Sequence, residues 1–243
     1  MSESKKIALI TGANKGIGFE VARQLAEQGI TVLLGARNPE RGEEAATKLR
    51  DENYDAHFVR LDLQDAATHN AAAQFIEEKF GKLDVLVNNA GVALDGGQKS
   101  SEVSQDLLRK TFDTNFFGTI AVTQAFLPLI KKTNAGRIVN VSSGLGSLTL
   151  HGDPNWEFYE VKPLAYNASK TALNAFTVIL AHELKDTNIK VNSADPGFTA
   201  TDLNGHQGYK TVEQGASIIT RLAVLPADGA TGSYFDDQGV LPW

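Results

Sequence analysis

The stretch TGANKGIG, residues 11–18, decides how the rest of the chain is interpreted. It follows a short apolar run that is typical of a β-strand and opens the first amphipathic stretch. Its glycines, Gly12, Gly16 and Gly18, permit a tight turn and a close approach of the backbone to a ligand. The amides at the start of the following helix would then face a pyrophosphate. The motif therefore predicts a dinucleotide-binding loop, with a purely structural glycine turn as the alternative.

Short apolar runs alternate with longer amphipathic stretches along the whole chain. The β-branched runs predict strands at residues 5–11, 31–36, 57–62, 84–90, 137–143 and 190–196, with 232–239 as a candidate last strand. Helical patterns occupy residues 17–28, 39–52, 66–80, 103–132 and 163–186. Most of the strands are apolar on both faces, as in a parallel sheet that is covered on both sides. The pattern predicts an α/β fold with a single doubly wound Rossmann-type parallel sheet and helices on both faces, in one domain over residues 1–243.

Composition and charge exclude several classes of function. The chain of 243 residues has no cysteine, which rules out disulfides, thiolate metal sites and a cysteine nucleophile. Its formal net charge of −6 argues against nucleic acid or an anionic membrane as a partner. The sequence shows neither a signal peptide nor an apolar stretch of membrane-spanning length, so a cytoplasmic protein is expected. The five histidines have no metal-ligand spacing, and we expect no metal site.

The end of the second predicted strand, LGARN, indicates which dinucleotide binds. NAD would call for a carboxylate that holds the ribose 2′-hydroxyl, whereas an arginine accommodates the 2′-phosphate of NADP. Ala36 stands where the acid would be, and Arg37 follows it. Lys15, in the glycine loop, can close on the same phosphate, although solvated surface cations are the usual fate of Lys and Arg. We therefore expect NADP.

The later strands end in polar and small residues that can face the same crevice. Asp62 either accepts a hydrogen bond from the adenine amino group or caps the next helix. In NNAG, residues 88–91, we expect Asn89 to contact the cofactor and Asn88 to be structural. Ser143 ends the fifth strand, where a hydroxyl can meet a substrate or simply form a turn.

A tyrosine and a lysine are four residues apart in YNASK. On a helix, Tyr166 and Lys170 would share a face with their Cβ atoms about 5–6 Å apart. An ammonium at that distance lowers the pKa of a phenol and brings it closer to the working pH of a general acid. An ordinary surface turn also fits these letters. Asn115 lies in the middle of a helical pattern, where asparagine has a poor propensity, and a cap, a kink or a function would each explain it.

Together, these motifs resemble those of the short-chain dehydrogenases/reductases. TGANKGIG, NNAG, TNFFGT, VSS, YNASK and DPGFTATD occur in the order found in that family and cover the whole chain. GANKGIG, ARNPERG, TNFFGT and the C-terminal Trp243 are most similar to the NADPH-dependent carbonyl reductases. The resemblance implies an enzyme that reduces a ketone or aldehyde to an alcohol. An alcohol dehydrogenase that works mainly in the oxidative direction, or a non-catalytic NADP(H) sensor, is the alternative.

The resemblance also implies roles for individual residues. Tyr166 matches the general acid, Lys170 its partner and a ligand of the nicotinamide ribose, and Ser143 the hydroxyl that orients the carbonyl group. Asn115 matches the residue that holds a proton-relay water. The expected cofactor contacts are Gly12, Asn14, Lys15, Gly16, Ile17, Gly18, Arg37, Asp62, Leu63, Asn89, Ala90, Gly91, Tyr166, Lys170, Pro196, Gly197, Thr199 and Thr201.

One long irregular stretch, residues 144–162, separates Ser143 from Tyr166. This separation of 23 positions is wider than the family's commonest spacing and narrower than in the longest monomeric carbonyl reductases. We expect an inserted loop near the substrate pocket, where His151 and the aromatic residues either line the pocket or pack the loop. The loop would also cover the helix face through which family members associate. A monomer is therefore expected, with a dimer as the alternative.

Overall fold

A computed structural model describes residues 5–243 of the chain. Within them, seven strands form one sheet in the order β3-β2-β1-β4-β5-β6-β7, and every adjacent pair is parallel. The strands are β1 (Ile7–Thr11), β2 (Thr31–Ala36), β3 (Ala56–Arg60), β4 (Val85–Asn88), β5 (Arg137–Val141), β6 (Lys190–Ala194) and β7 (Tyr234–Phe235). The predicted doubly wound parallel sheet is confirmed.

Eight α-helices flank this sheet in the described part of the chain. They are α1 (Gly16–Glu27), α2 (Pro39–Asp51), α3 (Ala66–Phe80), α4 (Gln105–Phe112), α5 (Thr119–Ile130), α6 (Leu148–His151), α7 (Leu164–Glu183) and α8 (Val212–Ala223). A π-helix (Asp113–Gly118) joins α4 to α5, and two 3₁₀ turns cover Gly144–Gly146 and Asp202–Asn204. Of the helices that the structure describes, none has the length and apolar character needed to cross a membrane.

Each face of the sheet has its own apolar core. Val21 of α1, Leu49 of α2 and Ile219 of α8 belong to one core. Ile76 of α3 and Phe126 of α5 belong to the other, which α7 completes. Alternate residues of the central strands enter opposite cores, so the strands are apolar throughout. Burying both faces leaves the strand ends as the place where polar chemistry can collect.

The strand order places a crevice beside β1. Strand β1 pairs with β2 on one side and with β4 on the other, so successive connections diverge from this point. In open α/β sheets, ligands bind outside the carboxyl ends of the strands at such a switch point. The glycine loop follows β1 directly, and it therefore lies at the position where this topology favours a ligand.

Helix α8 is an element that the sequence patterns did not predict. It contains Gly215 and β-branched isoleucines, which have weak helix propensity. Thr211 caps its first turn through a reciprocal pair of hydrogen bonds with Gln214. A Cβ on Gly215 would lie 2.3 Å from the Thr199 Oγ1 atom, so close packing demands glycine here. In the sequence, the capping-box pattern Thr-x-x-Gln is the signal that could have predicted the start of this helix.

The helix predicted over residues 103–132 is divided. Its middle section, Asp113–Gly118, forms the π-helix and contains Asn115. A Cβ on Gly118 would approach the Leu63 side chain to 2.8 Å, so glycine lets this turn pack closely on the end of β3. Of the explanations for Asn115 in the sequence, a local change of helix geometry applies, and π-turns of this kind are frequent at functional sites.

The last predicted strand, residues 232–239, is much shorter in the structure. Only Tyr234–Phe235 pair with β6, because Asp236 then accepts hydrogen bonds from amides of the next turn. Beyond this turn, Trp243 stacks on Tyr234 with ring centroids 5.5 Å apart. The Ser147 hydroxyl donates to the Pro242 carbonyl at 2.8 Å. The final residues thus tie the inserted stretch to the end of the sheet.

Candidate active site

A cleft of about 980 Å³ opens at the carboxyl ends of the strands. Its walls are the glycine loop, the ends of β2 to β5, the start of α7 and the segment after β6. The expected cofactor residues that line it are Gly12, Asn14, Lys15, Gly16, Ile17, Gly18, Arg37, Asp62, Leu63, Asn89, Ala90, Gly91, Tyr166, Lys170, Pro196 and Thr201. Gly197 and Thr199 are not among the lining residues. The side chain of Thr199 is buried and donates to the Pro196 carbonyl at 3.0 Å.

The amino end of α1 is prepared for an anion. Gly12 and Gly16 have φ angles of +64° and +56°, which favour glycine. Lys15 occupies the N-cap position without a side-chain hydrogen bond to the first turn, and that turn contains no acidic residue. The first amides of the helix therefore remain available to a phosphate group. These features fit a dinucleotide pyrophosphate.

Asn89 holds the glycine loop against β4. Its Nδ2 atom donates to the Thr11 carbonyl at 2.9 Å, and its amide donates to the Thr11 hydroxyl at 2.9 Å. A Cβ on Gly18 would lie 2.4 Å from this Nδ2 atom and 2.7 Å from the Gly12 carbonyl. Asn89 thus shapes the loop as well as lining the cleft.

Asn88 points away from the cleft. Its Nδ2 atom donates to Thr123 of α5 at 2.9 Å and to Asn140 of β5 at 2.8 Å. The side chain is buried, and its contacts join a strand to a helix and to the next strand. These contacts agree with the structural role that we expected.

The far end of the cleft carries the residues that were expected to choose the dinucleotide. Ala36 is buried at the end of β2, and Arg37 is exposed beside it. Asp62 accepts a hydrogen bond from the Gln64 amide at 3.1 Å. The cap of α3 is Asp65. The alternative interpretation of Asp62 as the cap was therefore wrong, and the residue lines the cleft instead.

Lys15 and Asp202 connect the two sides of the cleft. The Lys15 ammonium forms an ion pair with the Asp202 carboxylate, across from the glycine loop. His206 contacts the other oxygen of this carboxylate at 2.7 Å. Both partners of the ion pair are more than half exposed, so water screens their attraction. The sequence did not predict that Lys15 has a protein partner.

Tyr166 and Lys170 lie one turn apart on α7, as the spacing predicted. The Lys170 Nζ atom is 5.6 Å from the centre of the Tyr166 ring and donates to the Val141 carbonyl at 2.8 Å. Both side chains are buried, with 9% and 4% exposure. Asp95 accepts hydrogen bonds from the Ala165 and Tyr166 amides at 2.5 and 3.3 Å, which satisfies the start of the helix. No local pattern in the sequence pointed to Asp95, because it lies about 70 residues away.

The expected fall in the pKa of Tyr166 is not found in the protein alone. Burial raises the pKa of this phenol to about 12, although the Ser143 hydroxyl lowers it and the Asp195 carboxylate raises it further. Burial lowers the pKa of Lys170 to about 8. The spacing in the sequence indicates the attraction between the two side chains but not their desolvation, which disfavours the charged form of each.

Ser143 and Asn115 approach this pair from two other elements. Ser143 begins the 3₁₀ turn after β5, and its hydroxyl faces Tyr166. The Oδ1 atom of Asn115 and the Nζ atom of Lys170 lie 3.3 and 3.5 Å from the position of a Cβ on Gly91, so they flank the same point. The four side chains that the sequence singled out therefore lie close together. Tyr166 and Lys170 line the cleft, whereas Ser143 and Asn115 adjoin them and are not among the lining residues.

Both polar atoms of the Asn115 side chain have partners within the protein. Its Oδ1 accepts from the Val92 amide, and its Nδ2 donates to the Val92 carbonyl, both at 2.8 Å. The Nδ2 atom also donates to the Ser169 hydroxyl of α7 at 2.9 Å. Asn115 thus fixes the end of β4 to the helix that carries Tyr166. Ser169 was missed because only the fold brings it to Asn115.

The stretch 144–162 packs as an ordered insertion beside Ser143. His151 joins its parts: its Nε2 atom donates to the Leu145 carbonyl at 2.9 Å, and its Nδ1 atom accepts from the Lys162 ammonium at 2.9 Å. Burial lowers the pKa of this imidazole. The contacts assign His151 to the packing of the insertion.

An edge-to-face series of aromatic rings runs from this insertion to the segment after β6. Trp156 contacts Phe158, Phe158 contacts Phe198, and Phe198 contacts Tyr209, with centroids 5.6 to 5.9 Å apart. The Trp156 ring lies 3.2 Å from the position of a Cβ on Gly144. Aromatic surface thus borders the turn that carries Ser143. In residues 5–243, no group of His, Asp and Glu side chains is arranged to hold a metal ion.

The doubly wound sheet, with its glycine loop at the switch point, defines a dinucleotide-binding α/β protein. Comparison with known families is consistent with this class: the model described as short chain dehydrogenase matches residues 6–211. The chain belongs to this family. It is an oxidoreductase that acts on CH–OH or C=O groups, and the family uses a nicotinamide cofactor.

Named relatives cover the full length of the chain. It is 37% identical to (−)-isopiperitenone reductase of Mentha piperita, over 99% of both chains, and 34% identical to carbonyl reductase [NADPH] 1 of Mus musculus, over 100% of both. Among solved structures, the NADPH-bound carbonyl reductase from chicken fatty liver superimposes with a TM-score of 0.86 at 26% identity, covering 98% of this chain and 99% of that one. These similarities support a ketone-reducing oxidoreductase.

Proposed function

We propose that the protein is an NADPH-dependent carbonyl reductase that converts a ketone or aldehyde to an alcohol. The observation that carries this proposal is that Tyr166 and Lys170 line one end of a dinucleotide-sized cleft, with Ser143 and Asn115 directly beside them. These side chains come from three separate elements, and a structural role alone does not require all of them at one place. The names of the reductase relatives support the same reaction class.

The choice of NADPH rests on charge at the adenosine end of the cleft. Arg37 is exposed next to Ala36, so a 2′-phosphate would meet a cation there and no carboxylate from β2. Lys15 lines the same cleft and can exchange its carboxylate partner for a phosphate. The carbonyl reductase relatives, whose names include NADPH, support the same cofactor.

Tyr166 would act as the general acid. When bound, NADPH supplies the hydride for the carbonyl carbon, and its oxidised ring adds positive charge beside Tyr166. The phenol donates its proton to the carbonyl oxygen, where negative charge develops. Burial, which raises the pKa of Tyr166 to about 12, keeps this proton in place before reaction and so suits reduction.

Ser143 and Lys170 would prepare this proton transfer. The Ser143 hydroxyl faces Tyr166, and a carbonyl oxygen between them would accept hydrogen bonds from both. The Lys170 ammonium favours the phenolate that forms, and it lines the cleft where a nicotinamide ribose would lie. Asn115 would keep α7 in register with the end of β4.

The test is an NADPH-oxidation screen against ketones, aldehydes, diketones and quinones. We expect turnover of at least one class, a weaker response with NADH, and loss of turnover in a folded Tyr166→Phe variant. Faster oxidation of the matching alcohols under all conditions would favour the alcohol dehydrogenase. Tight NADPH binding without turnover of any compound in either direction would favour the sensor and contradict the proposal.

A further inference from the structure

Asp195 is a carboxylate beside the proposed acid that the sequence motifs left without a role. It follows β6, where its amide donates to the Phe235 carbonyl at 2.7 Å. The neighbouring Ser142 amide donates to the Ala194 carbonyl at 2.7 Å, so Asp195 lies alongside the turn that carries Ser143. The residue is half-buried at this place.

The two oxygens of Asp195 face two different turns. The Oδ1 atom accepts a hydrogen bond from the Gly197 amide at 2.9 Å, which closes a turn around Pro196. Gly197 has a φ angle of +70° and belongs to the segment expected to contact nicotinamide. The Oδ2 atom lies 3.1 Å from the position of a Cβ on Gly144, directly after Ser143. One carboxylate therefore spans the gap between the two turns.

The charge of Asp195 also reaches the proposed catalytic pair. It raises the pKa of Tyr166 and that of Lys170, because a nearby anion disfavours loss of a proton from either group. Burial raises the pKa of Asp195 itself to about 6, so the carboxylate is mostly ionised at neutral pH. The titratable groups that face it are Tyr166 and Lys170 of α7, Tyr209 and Lys210 after β6, and Tyr234 and Asp236 at β7.

We propose that Asp195 is a positioning residue for carbonyl reduction: it ties the Ser143 turn to the Pro196–Gly197 turn, and its negative charge sets the pH range in which the reaction proceeds. Reduction needs Tyr166 as a phenol, whereas oxidation of an alcohol needs the phenolate. An anion beside the pair extends to higher pH the range over which Tyr166 stays a phenol. This inference rests on the proposed function and goes beyond it by assigning a residue that sets the pH dependence of both directions.

Three neutral variants separate the charge from the hydrogen bond. Asp195→Asn and Asp195→Ser lose the charge but keep an oxygen for the Gly197 amide, whereas Asp195→Ala loses both. Asp228→Asn, on the exposed turn after α8, is the matched control for net charge. In each, alcohol oxidation and carbonyl reduction are measured against pH at constant ionic strength.

In all three neutral variants, the limb of the pH profile where oxidation rises should move to lower pH by on the order of one unit, as expected for the loss of one nearby negative charge. The limb where reduction falls should move with it, because both report the same pair. Asp228→Asn should leave both limbs in place. The Asp195→Ala variant should also show about a tenfold lower kcat for reduction at neutral pH, because it loses the hydrogen bond to the Gly197 amide. The decrease in kcat should be much smaller for Asp195→Asn and Asp195→Ser.

Unshifted limbs in folded Asn and Ser variants would overturn the electrostatic role. Equal kcat in the Ala and Asn variants would overturn the anchoring role. Ionisation of Tyr166 is also followed without turnover, as the ultraviolet difference between each protein and its Tyr166→Phe counterpart during alkaline titration with NADP⁺ bound. A native protein without reductase activity would contradict the proposed function, and this titration would still decide whether Asp195 acts on Tyr166.

Discussion

The two halves of the cleft are built in different ways. The half beside β1 to β4 is made largely by one local motif, the glycine loop, with Asn89 holding it in place. The half beside β5 to β7 combines side chains from the end of β5, the π-helix, α7 and the end of β6. In the proposed function, the first would bind the cofactor through backbone amides, whereas the second depends on buried ionisable groups. Changes in the second half should therefore alter rate and pH dependence, and changes in the first should alter affinity and stability.

The largest effect is expected in the half beside β5 to β7, from Tyr166→Phe. The change removes the transferable proton but keeps the buried ring, so we expect kcat to fall by about 10² to 10⁴. NADPH binding should survive, which fluorescence titration of the folded variant can check. Retention of more than about a tenth of the native rate would assign the acid to another group.

Asp195, in the same half of the cleft, should make the free energy of unfolding of the protein depend on pH. Its pKa is raised from 3.8 to about 6 on folding, so the folded protein holds this proton more tightly than the unfolded chain does. The stabilisation is present below the unfolded pKa and is lost as the pH rises through about 6. Asp195→Asn should therefore be more stable than the native protein by about 3 kcal/mol at pH ~8, and nearly equal to it at pH ~4. Urea unfolding at both values measures this, and an equal difference at the two pH values would contradict it.

In the half beside β1 to β4, Arg37→Asp should weaken NADPH binding by about tenfold to a hundredfold, because it removes a cation from the phosphate and adds an anion. NADH binding should change little or improve. Calorimetric titration with both cofactors gives the ratio. Arg41→Asp makes the same charge change on the exposed first turn of α2 and serves as the control. Equal affinities of the native protein for NADPH and NADH would contradict the role of Arg37.

A smaller loss of stability is expected from Gly18→Ala. The new methyl group would press on the Gly12 carbonyl and displace the Asn89 amide from the loop. We expect a loss of about 1–2 kcal/mol in the free energy of unfolding, together with weaker NADPH binding. Gly96→Ala, where a Cβ would meet no atom within 4 Å, is the control. Matching thermal unfolding of the two variants would show that close packing at Gly18 is not required.

The same contrast explains what could be predicted from the sequence. The glycine loop, the strands of both cores and the Tyr166–Lys170 pair are local patterns, and they were located correctly. Asp95, Ser169 and Asp195 were missed because each acts on a residue that is distant in the chain. The predicted lowering of the Tyr166 pKa is not found in the protein alone for a related reason, since burial depends on elements that the spacing of Tyr166 and Lys170 does not reveal. The single domain, the monomeric state and the cytoplasmic location stay predictions.

The ion pair between Lys15 and Asp202 has a consequence for the kinetics of the cleft. It joins the glycine loop to the segment after β6, along the wall of the cleft. Both side chains are more than half exposed, and exposed pairs of this kind contribute only about 0–1 kcal/mol, so parting them costs little. If Lys15 holds the cofactor phosphate as proposed, that phosphate would replace the Asp202 carboxylate as its partner. Cofactor capture would then be an exchange of counter-ions, and its rate should respond to ionic strength as surface attraction is screened.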